Sequence, residues 1–431
     1  MHPECISKCR LCGWEGFSPA IDLGEMAFTG YFPKQRSDVP LSPGEEAVPR
    51  GPLELVECDA CGLVQIAHHY ASDLMYGPTY GYRSGLNASM AQHLKGIAEQ
   101  GWRLAKPERG EAVVDIGAND GTLLNCYPDH VRRFAFDPLA DKWAQYYKPG
   151  IVRFSGCFDA EQGIAIVGRD NAKIVTSIAC FYDMPDPVGT ARGIYAILKD
   201  GGIWILEQAT TDSVIEIGAW DQICHEHMEY YATAQILDIL ERASLRLIGL
   251  QRNSANGDSW RIIAQKGGNL PGLDKSEYRT AYSHYSWDNL RARIDRNCRE
   301  LKSFLEAEKS AGNIVWGYGA STKGNVVLQR AGIGPELLPL ILDANEEKDC
   351  AETPGTRIPI RLWKGPWIGG TCNPEELWKG TAPQSFLVLP WHFRDFIIEK
   401  EHAFLKAGGK LVFALPNLEI VTKESVREKA A

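Results

Sequence analysis

The chain has 431 residues, 44% apolar and 23% charged, with a formal net charge of −9. That length exceeds one ordinary domain and predicts two or three. The acidic balance, without a basic stripe, excludes a nucleic-acid footprint, and the strand-sized apolar runs exclude a membrane-spanning helix. Met1-His2-Pro3-Glu4-Cys5 lacks the charged and apolar regions of a signal peptide. Of twelve cysteines, four stand in paired spacings and the rest are scattered, so a reducing cytoplasm is expected rather than a disulfide framework.

Residues 1–72 are rich in Cys, Gly and Pro and read as a small loop-rich module, with an extended connection from Pro33 to Pro52. Cys9-x2-Cys12 and Cys58-x2-Cys61 form two knuckles, each followed by glycine (Gly13, Gly62). Four thiolates suit tetrahedral zinc, and a four-cysteine site has no open position, so Cys9, Cys12, Cys58 and Cys61 are expected to bind one structural Zn(II). Cys5 lies outside the pairing.

Residues 84–105 carry helical apolar spacing. Strands and helices then alternate. Strands are expected at 112–116, 133–136, 151–154, 173–178, 203–207, 245–251 and 260–265, with helices at 188–198 and 234–243. This is a doubly wound sheet with an antiparallel addition. A charged helical bridge follows over 271–312. A second α/β unit over 313–431 has strands at 314–317, 338–343, 386–389 and 410–414, ending in a charged tail.

Two glycine loops punctuate this pattern. In the first, Val113 to Gly121, a strand ends at Asp115-Ile116 and turns at Gly117-Ala118-Asn119-Asp120-Gly121. The GxGxxG of dinucleotide enzymes is incomplete here. An acid before the loop, Asp115, suits the ammonium of a methionine moiety, and Asp137 at the end of the next strand suits ribose hydroxyls. At these residues the chain resembles the class I S-adenosylmethionine-dependent methyltransferases. A ligand-free turn and a dinucleotide site are the alternatives. In the second loop, Gly317-Tyr318-Gly319 precedes Lys323-Gly324-Asn325, and Asp343 ends the next strand. Contact with a substrate diphosphate through Lys323, a purely structural remnant and a dinucleotide site all remain open.

Between the loops lies Cys224-His225-Glu226-His227. A histidine near neutral pKa is a candidate general base, and the carboxylate beside it could orient the ring. Packing and a second metal site are the competing readings.

Taken with Tyr76-Gly77, Tyr80 to Gly85, Asn256 to Arg261, Thr353 to Thr356 and Leu389 to Phe393, nearly the whole chain resembles the three-domain sugar C-methyltransferases of bacterial natural-product or glycan pathways. The resemblance implies a zinc module (1–72), a class I methyltransferase core (73–270), a helical bridge (271–312) and a C-terminal Rossmann-like domain (313–431). It implies S-adenosyl-L-methionine as cofactor, bound by Asp115, Gly117, Ala118, Asn119, Gly121, Asp137, Pro138 and Tyr82. It implies His227 as base, with Glu226, His225 and Tyr76 in the catalytic site. The acceptor would be a nucleotide-linked keto-deoxysugar, deprotonated next to the keto group and methylated on carbon. Cys224, Asp183, Asn256, Ser259, Arg261, Lys323 and Asn325 are expected to bind it. At two positions the chain departs from the family. Cys224 stands where a tyrosine is usual, and the run Ile178 to Asp183 replaces one that often ends in histidine. These departures leave open transfer to oxygen or nitrogen of another small acceptor. A non-catalytic zinc scaffold is the reading from a different class.

Overall fold

The computed structural model of the protein describes residues 3–34, 48–71, 75–77, 80–268, 273, 287–363, 365 and 382–428. Part of the extended connection expected at 33–52 and part of the bridge expected at 271–312 lie outside these residues.

The central sheet has seven strands. In spatial order they are Arg246–Asn253, Ser259–Gln265, Leu198–Gln208, Ala172–Ile178, Ala112–Ile116, Arg132–Phe136 and Ile151–Phe154. The last five are mutually parallel, while Ser259–Gln265 runs antiparallel to both its neighbours. Every residue of Ala112–Ile116 is buried, as a strand covered on both faces must be. The chain reverses its winding between Ala112–Ile116 and Ala172–Ile178. The crevice outside their carboxyl ends is where such sheets bind ligands. This is the α/β doubly wound sheet with an antiparallel addition that the sequence pattern predicts.

The helix leading into this sheet is shorter than its apolar spacing implied. It runs Ala88–Ala105, because the Asn87 side chain accepts from Ser89 N and Met90 N and fixes its start. Ser84–Leu86 is a separate 3-10 turn.

A second, six-stranded sheet runs Ile360–Leu362, Ile341–Asp343, Val315–Tyr318, Ser385–Val388, Lys410–Phe413 and Glu419–Val421. The first five are parallel and the last is antiparallel. Its own reversal falls between Val315–Tyr318 and Ser385–Val388. Glu419–Val421 closes the sheet as an edge strand anchored by buried Val421 and by an ion pair from Glu419 to Arg394, and the charged tail expected after it opens as the helix Lys423–Glu428.

The cysteine module builds an antiparallel sheet from Phe17–Ala27, Arg50–Cys58 and Val64–Ile66, and its fourth strand is Glu229–Tyr230. The module thus borrows its last strand from the chain just after His227. The long helix Trp287–Ser310 buries Leu290, Ile294, Asn297, Leu301 and Leu305, one stripe at helical spacing. Leu290, Ile294, Leu301 and Leu305 share a core with Leu53, Ile66 and Trp220 on one side and Val315, Val326 and Leu387 on the other. One continuous apolar core therefore joins the cysteine module to the C-terminal sheet.

Candidate active site

The four cysteines of the two knuckles come together. Their sulfurs lie within 4.8 Å of one another, with Cys9–Cys61 and Cys12–Cys58 each at 3.6 Å. A tetrahedral Zn(II) with Zn–S of about 2.3 Å requires S···S spacings of roughly 3.8 Å, so the donor set and its geometry fit zinc. Gly13 and Gly62 adopt positive φ, and each returns its N–H to the first cysteine of its own knuckle. The Gln65 amide donates to Cys9 Sγ at 3.3 Å. No disulfide joins the described cysteines.

The first glycine loop sits at the sheet's switch point. Gly117 (φ +71°) passes so close to Cys180 that a Cβ there would lie 2.6 Å from its side chain. Asp137 accepts from Asn119 N at 2.8 Å and Leu139 N at 2.7 Å, which fixes its carboxylate at the mouth of the loop. Asp115 is buried and bonded to the Thr176 hydroxyl at 2.6 Å, and desolvation lifts its pKa to about 7. An ammonium placed beside it would restore its charge. The segment through Tyr82 is pinned across the loop: Ser84 N donates to Asn119 and Gly85 N to Asp120, both at 2.9 Å. Two acids at strand ends and a partly apolar wall including Phe136, Leu139 and Phe158 fit S-adenosyl-L-methionine.

His227 lies in the tight turn between the 3-10 turn Trp220–Gln222 and the strand Glu229–Tyr230. Its Nδ1 is 2.8 Å from the Gln222 carbonyl, which accepts only, so Nδ1 carries the proton and Nε2 the lone pair. The ring packs on Tyr182 at 4.0 Å. Burial, then the nearby Lys323 charge, lowers the His227 pKa to about 3, so the ring is neutral. The expectation that Glu226 orients this ring is corrected. The Gln222 carbonyl does so, while Glu226 accepts from Thr29 Oγ1 at 3.0 Å and Gly30 N at 2.9 Å. Desolvation raises the Glu226 pKa.

The second glycine loop faces the first across one cleft of about 470 Å³. Lys323 points into it, donates to the Asn256 carbonyl at 3.2 Å, and has its pKa lowered by burial against the opposing pull of Asp221. Asp343 repeats the pattern of Asp137, accepting from Ala320 N and Asn345 N, both at 2.7 Å.

Of the expected site residues, Tyr76, Tyr82, Asp115, Gly117, Ala118, Asn119, Asp137, Pro138, Asp183, Glu226, His227, Asn256 and Lys323 line this cleft. Others do not. The His-Glu-His run is a turn, and its two imidazoles go to different places. His225 is fully buried, stacked on Phe28 at 4.6 Å and bonded to the Gly51 carbonyl. Cys224 is buried behind Glu226. Ser259 bonds Ala255, and Arg261 pairs with Glu207 at 2.6 Å inside the core sheet. Gly121 shapes the loop by packing on the Tyr147 ring. Asn325 reaches back to the Thr29 carbonyl at 2.8 Å. Sequence reasoning missed Thr29 and Gly30, which have no local signature. It also gave no role to Tyr80, Lys348 and His392, which line the cleft. Tyr80 and His392 lie within runs already noted for their resemblance.

Comparison with known proteins agrees with this architecture. Residues 9–76 match a family model described as "Putative zinc binding domain", 89–250 one described as "Methyltransferase domain", and 265–416 one described as "C-methyltransferase C-terminal domain". The C-methyltransferase NovU of Streptomyces niveus is 25% identical over 97% of this chain and 98% of its own length. Among solved structures, a "putative methyltransferase" of Bacillus halodurans C-125 matches at 16% identity, covering 40% of this chain and all of that one, with a TM-score of 0.33. The 1,6-didemethyltoxoflavin-N1-methyltransferase of Burkholderia thailandensis matches at 16% identity over 41% of this chain and 78% of that one, with a TM-score of 0.30. Among the described residues no helix is long and apolar enough to cross a membrane. Zinc module, methyltransferase core and C-terminal domain, in that order along one chain, make this protein a member of the three-domain C-methyltransferase family, dependent on S-adenosyl-L-methionine and acting on a small-molecule acceptor.

Proposed function

We propose that the protein methylates a ring carbon next to the keto group of a nucleotide-linked deoxysugar, in the cytoplasm. The observation that carries this reading is the hydrogen bond from His227 Nδ1 to the Gln222 carbonyl, which leaves Nε2 as a free base on the cleft wall between the two glycine loops. S-adenosyl-L-methionine supplies the methyl group when bound. Asp137 would take its ribose hydroxyls and Asp115 its ammonium, each at the end of a parallel strand.

His227 Nε2 would accept the proton α to the carbonyl. The acceptor then carries negative charge on its oxygen. Lys323 disfavours a second cation on His227, yet favours an oxyanion placed beside its own ammonium. Proton transfer becomes feasible when the developing oxyanion lies nearer Lys323 than the imidazolium does. Tyr76, Tyr80 and Glu226, which line the cleft, would surround the reacting carbon. The nucleotide end would lie toward Ser321, Thr322 and Lys348 of the C-terminal domain, where the helix Thr322–Ala331 begins.

The test is mass spectrometry of products formed from S-adenosyl-L-methionine and a panel of thymidine-diphosphate 4-keto-deoxysugars. A gain of one methylene on the sugar, absent with His227→Ala, supports the reading. Exchange of the α-proton in deuterated water separates carbon methylation from transfer to oxygen or nitrogen, which leaves that proton in place. Tight cofactor binding with no sugar methylated would overturn the sugar acceptor.

A further inference from the structure

One buried acid behind the cleft plays no part in the chemistry above. Asp221 stands in the 3-10 turn Trp220–Gln222, one residue before the carbonyl that orients His227. The turn is anchored at its start, where buried Trp220 donates from Nε1 to Asn297 of the long helix at 3.3 Å. Asp221 is 1% exposed and does not line the cleft. Its Oδ2 accepts from Trp391 Nε1 of the C-terminal domain at 2.8 Å, and its Oδ1 is buried without a hydrogen-bond partner among the described residues. An acceptor in the cleft does not reach this carboxylate, so any effect on the reaction passes through a neighbour.

That neighbour is Lys323. Its ammonium and the Asp221 carboxylate attract one another across the domain boundary, through a dry interior where charges are poorly screened. A ring of contacts holds the two in place. Lys323 donates to the Asn256 carbonyl at 3.2 Å. Gly257 follows, and a Cβ on it would lie 2.9 Å from the Trp391 ring, so the turn seats Trp391 closely. Trp391 in turn holds Asp221. The core supplies Asp221, Asn256 and Gly257 to this ring, and the C-terminal domain supplies Lys323 and Trp391. Three other titratable groups face Lys323. Burial pushes the Cys224 thiol up and keeps it neutral, and burial with the Lys323 charge keeps the imidazoles of His227 and His392 neutral. Asp221 is therefore the carboxylate set against this ammonium. Burial lowers the Lys323 pKa and favours loss of its proton, and the Asp221 charge opposes that loss.

We propose that Asp221 is a positioning residue that serves as the counter-ion of Lys323 and keeps its ammonium in the cleft for an oxyanion on the acceptor. One short turn then governs both partners of the proton transfer: Gln222 fixes the lone pair of His227, and Asp221 fixes the charge of Lys323. The inference rests on the role given to Lys323 above and names the residue that makes that role available.

The experiment reads Lys323 directly, in the full zinc-containing chain and without any acceptor. Trace acetic anhydride acetylates the neutral amine across a pH series, and peptide mass spectrometry follows the rate at Lys323. Asp221→Asn keeps an oxygen for the Trp391 N–H and removes the charge. It should move the Lys323 midpoint to lower pH by roughly one unit or more, with zinc content and S-adenosylhomocysteine affinity unchanged. Turnover of a thymidine-diphosphate 4-keto-deoxysugar should lose its alkaline limb in the same direction, because the variant's Lys323 gives up its proton earlier. An unmoved midpoint overturns the inference, as does a fall in kcat that is uniform across pH, which a merely structural role would give. A Lys323 that is already mostly neutral amine at pH 7 in the wild-type protein overturns it without any variant. If the midpoint moves but the wild-type protein methylates no sugar, the counter-ion stands and the sugar reading falls.

Discussion

The Thr29 hydroxyl donates to the Glu226 carboxylate at 3.0 Å, although the two residues are 197 positions apart. Gly30 N donates to the same group, and a Cβ at Gly30 would lie 2.8 Å from Glu226 Oε1, so only glycine permits the approach. Asn325 of the C-terminal domain in turn holds the Thr29 carbonyl at 2.8 Å. All three domains therefore meet at one acid of the cleft. Replacing Thr29 by Val keeps the shape and removes the donor, leaving a buried carboxylate short of a partner at a cost of about 1–3 kcal/mol. The expected result is a fall in kcat of roughly tenfold or more, with zinc content and S-adenosylhomocysteine affinity unchanged. Unchanged kcat would remove Glu226 from the reacting geometry.

His227→Gln should lower turnover by about 10²–10⁴-fold, the contribution of a general base. Cofactor affinity should hold, since Asp115 and Asp137 are carried by the central sheet and held by Thr176, Asn119 and Leu139, none of which the substitution touches. Rapid turnover by this variant, measured by product mass spectrometry, would assign the base elsewhere.

Asp137→Ala removes a carboxylate that two backbone N–H groups hold in position. A lost charge-assisted bond of ~1.5–3 kcal/mol predicts a cofactor Kd weakened about tenfold to a hundredfold. Titration with S-adenosylhomocysteine checks it. An unaltered Kd would mean that the ribose is held by other groups.

The parts of this site that could be read from sequence are those whose chemistry is local. A CxxCG knuckle declares its metal in five residues, and Val113 to Gly121 declares a strand, a turn and an acid within nine. His227 was readable as a candidate base, but the ring's tautomer was not. It depends on the Gln222 carbonyl, and a backbone oxygen has no sequence signature. His225, expected in the catalytic site from the resemblance, lies outside the cleft because the run is a turn that sends its ring toward Phe28. Thr29, Gly30 and Asn325 were illegible as a set because their partners are separated by hundreds of residues. Helix Lys423–Glu428 was hidden by its charge, which periodicity alone cannot tell from a solvated tail.

Cys58→Ser should lose zinc and lower the melting temperature, because metal binding in such a module is folding energy. The consequence extends beyond the module. Arg10, between the knuckle cysteines, donates to the Ile66 carbonyl at 3.0 Å and the Met228 carbonyl at 3.4 Å, and Glu229–Tyr230 pairs with Val64–Gln65. Loss of the metal should therefore reduce turnover through the His227 turn while the cofactor site on the central sheet stays intact. Zinc content, by atomic absorption, should fall in step with kcat. Full zinc in Cys58→Ser would count against the quartet.

His225 supplies a pH prediction with a definite sign. Burial lowers its pKa from 6.5 to about 4 in the folded state. Below pH 6.5 the unfolded chain binds this proton and the folded chain does not, so stability from His225 is complete above that pH and declines as pH falls toward 4. A shift of that size corresponds to ~3 kcal/mol across the window. Its ring stacks on Phe28 and its Nδ1 has no hydrogen-bond partner among the described residues, so phenylalanine suits the same slot. His225→Phe loses the bond to the Gly51 carbonyl and should be destabilised at pH 7.5 by about 1 kcal/mol. At pH 5 the gap should close or reverse, because the variant has no proton to exclude. Urea unfolding at the two pH values measures this. Turnover should stay within about threefold of wild type, since the ring does not reach the cleft. Parallel stability curves for the two proteins would mean that His225 is not held neutral, and a collapse of turnover would return it to the catalytic set.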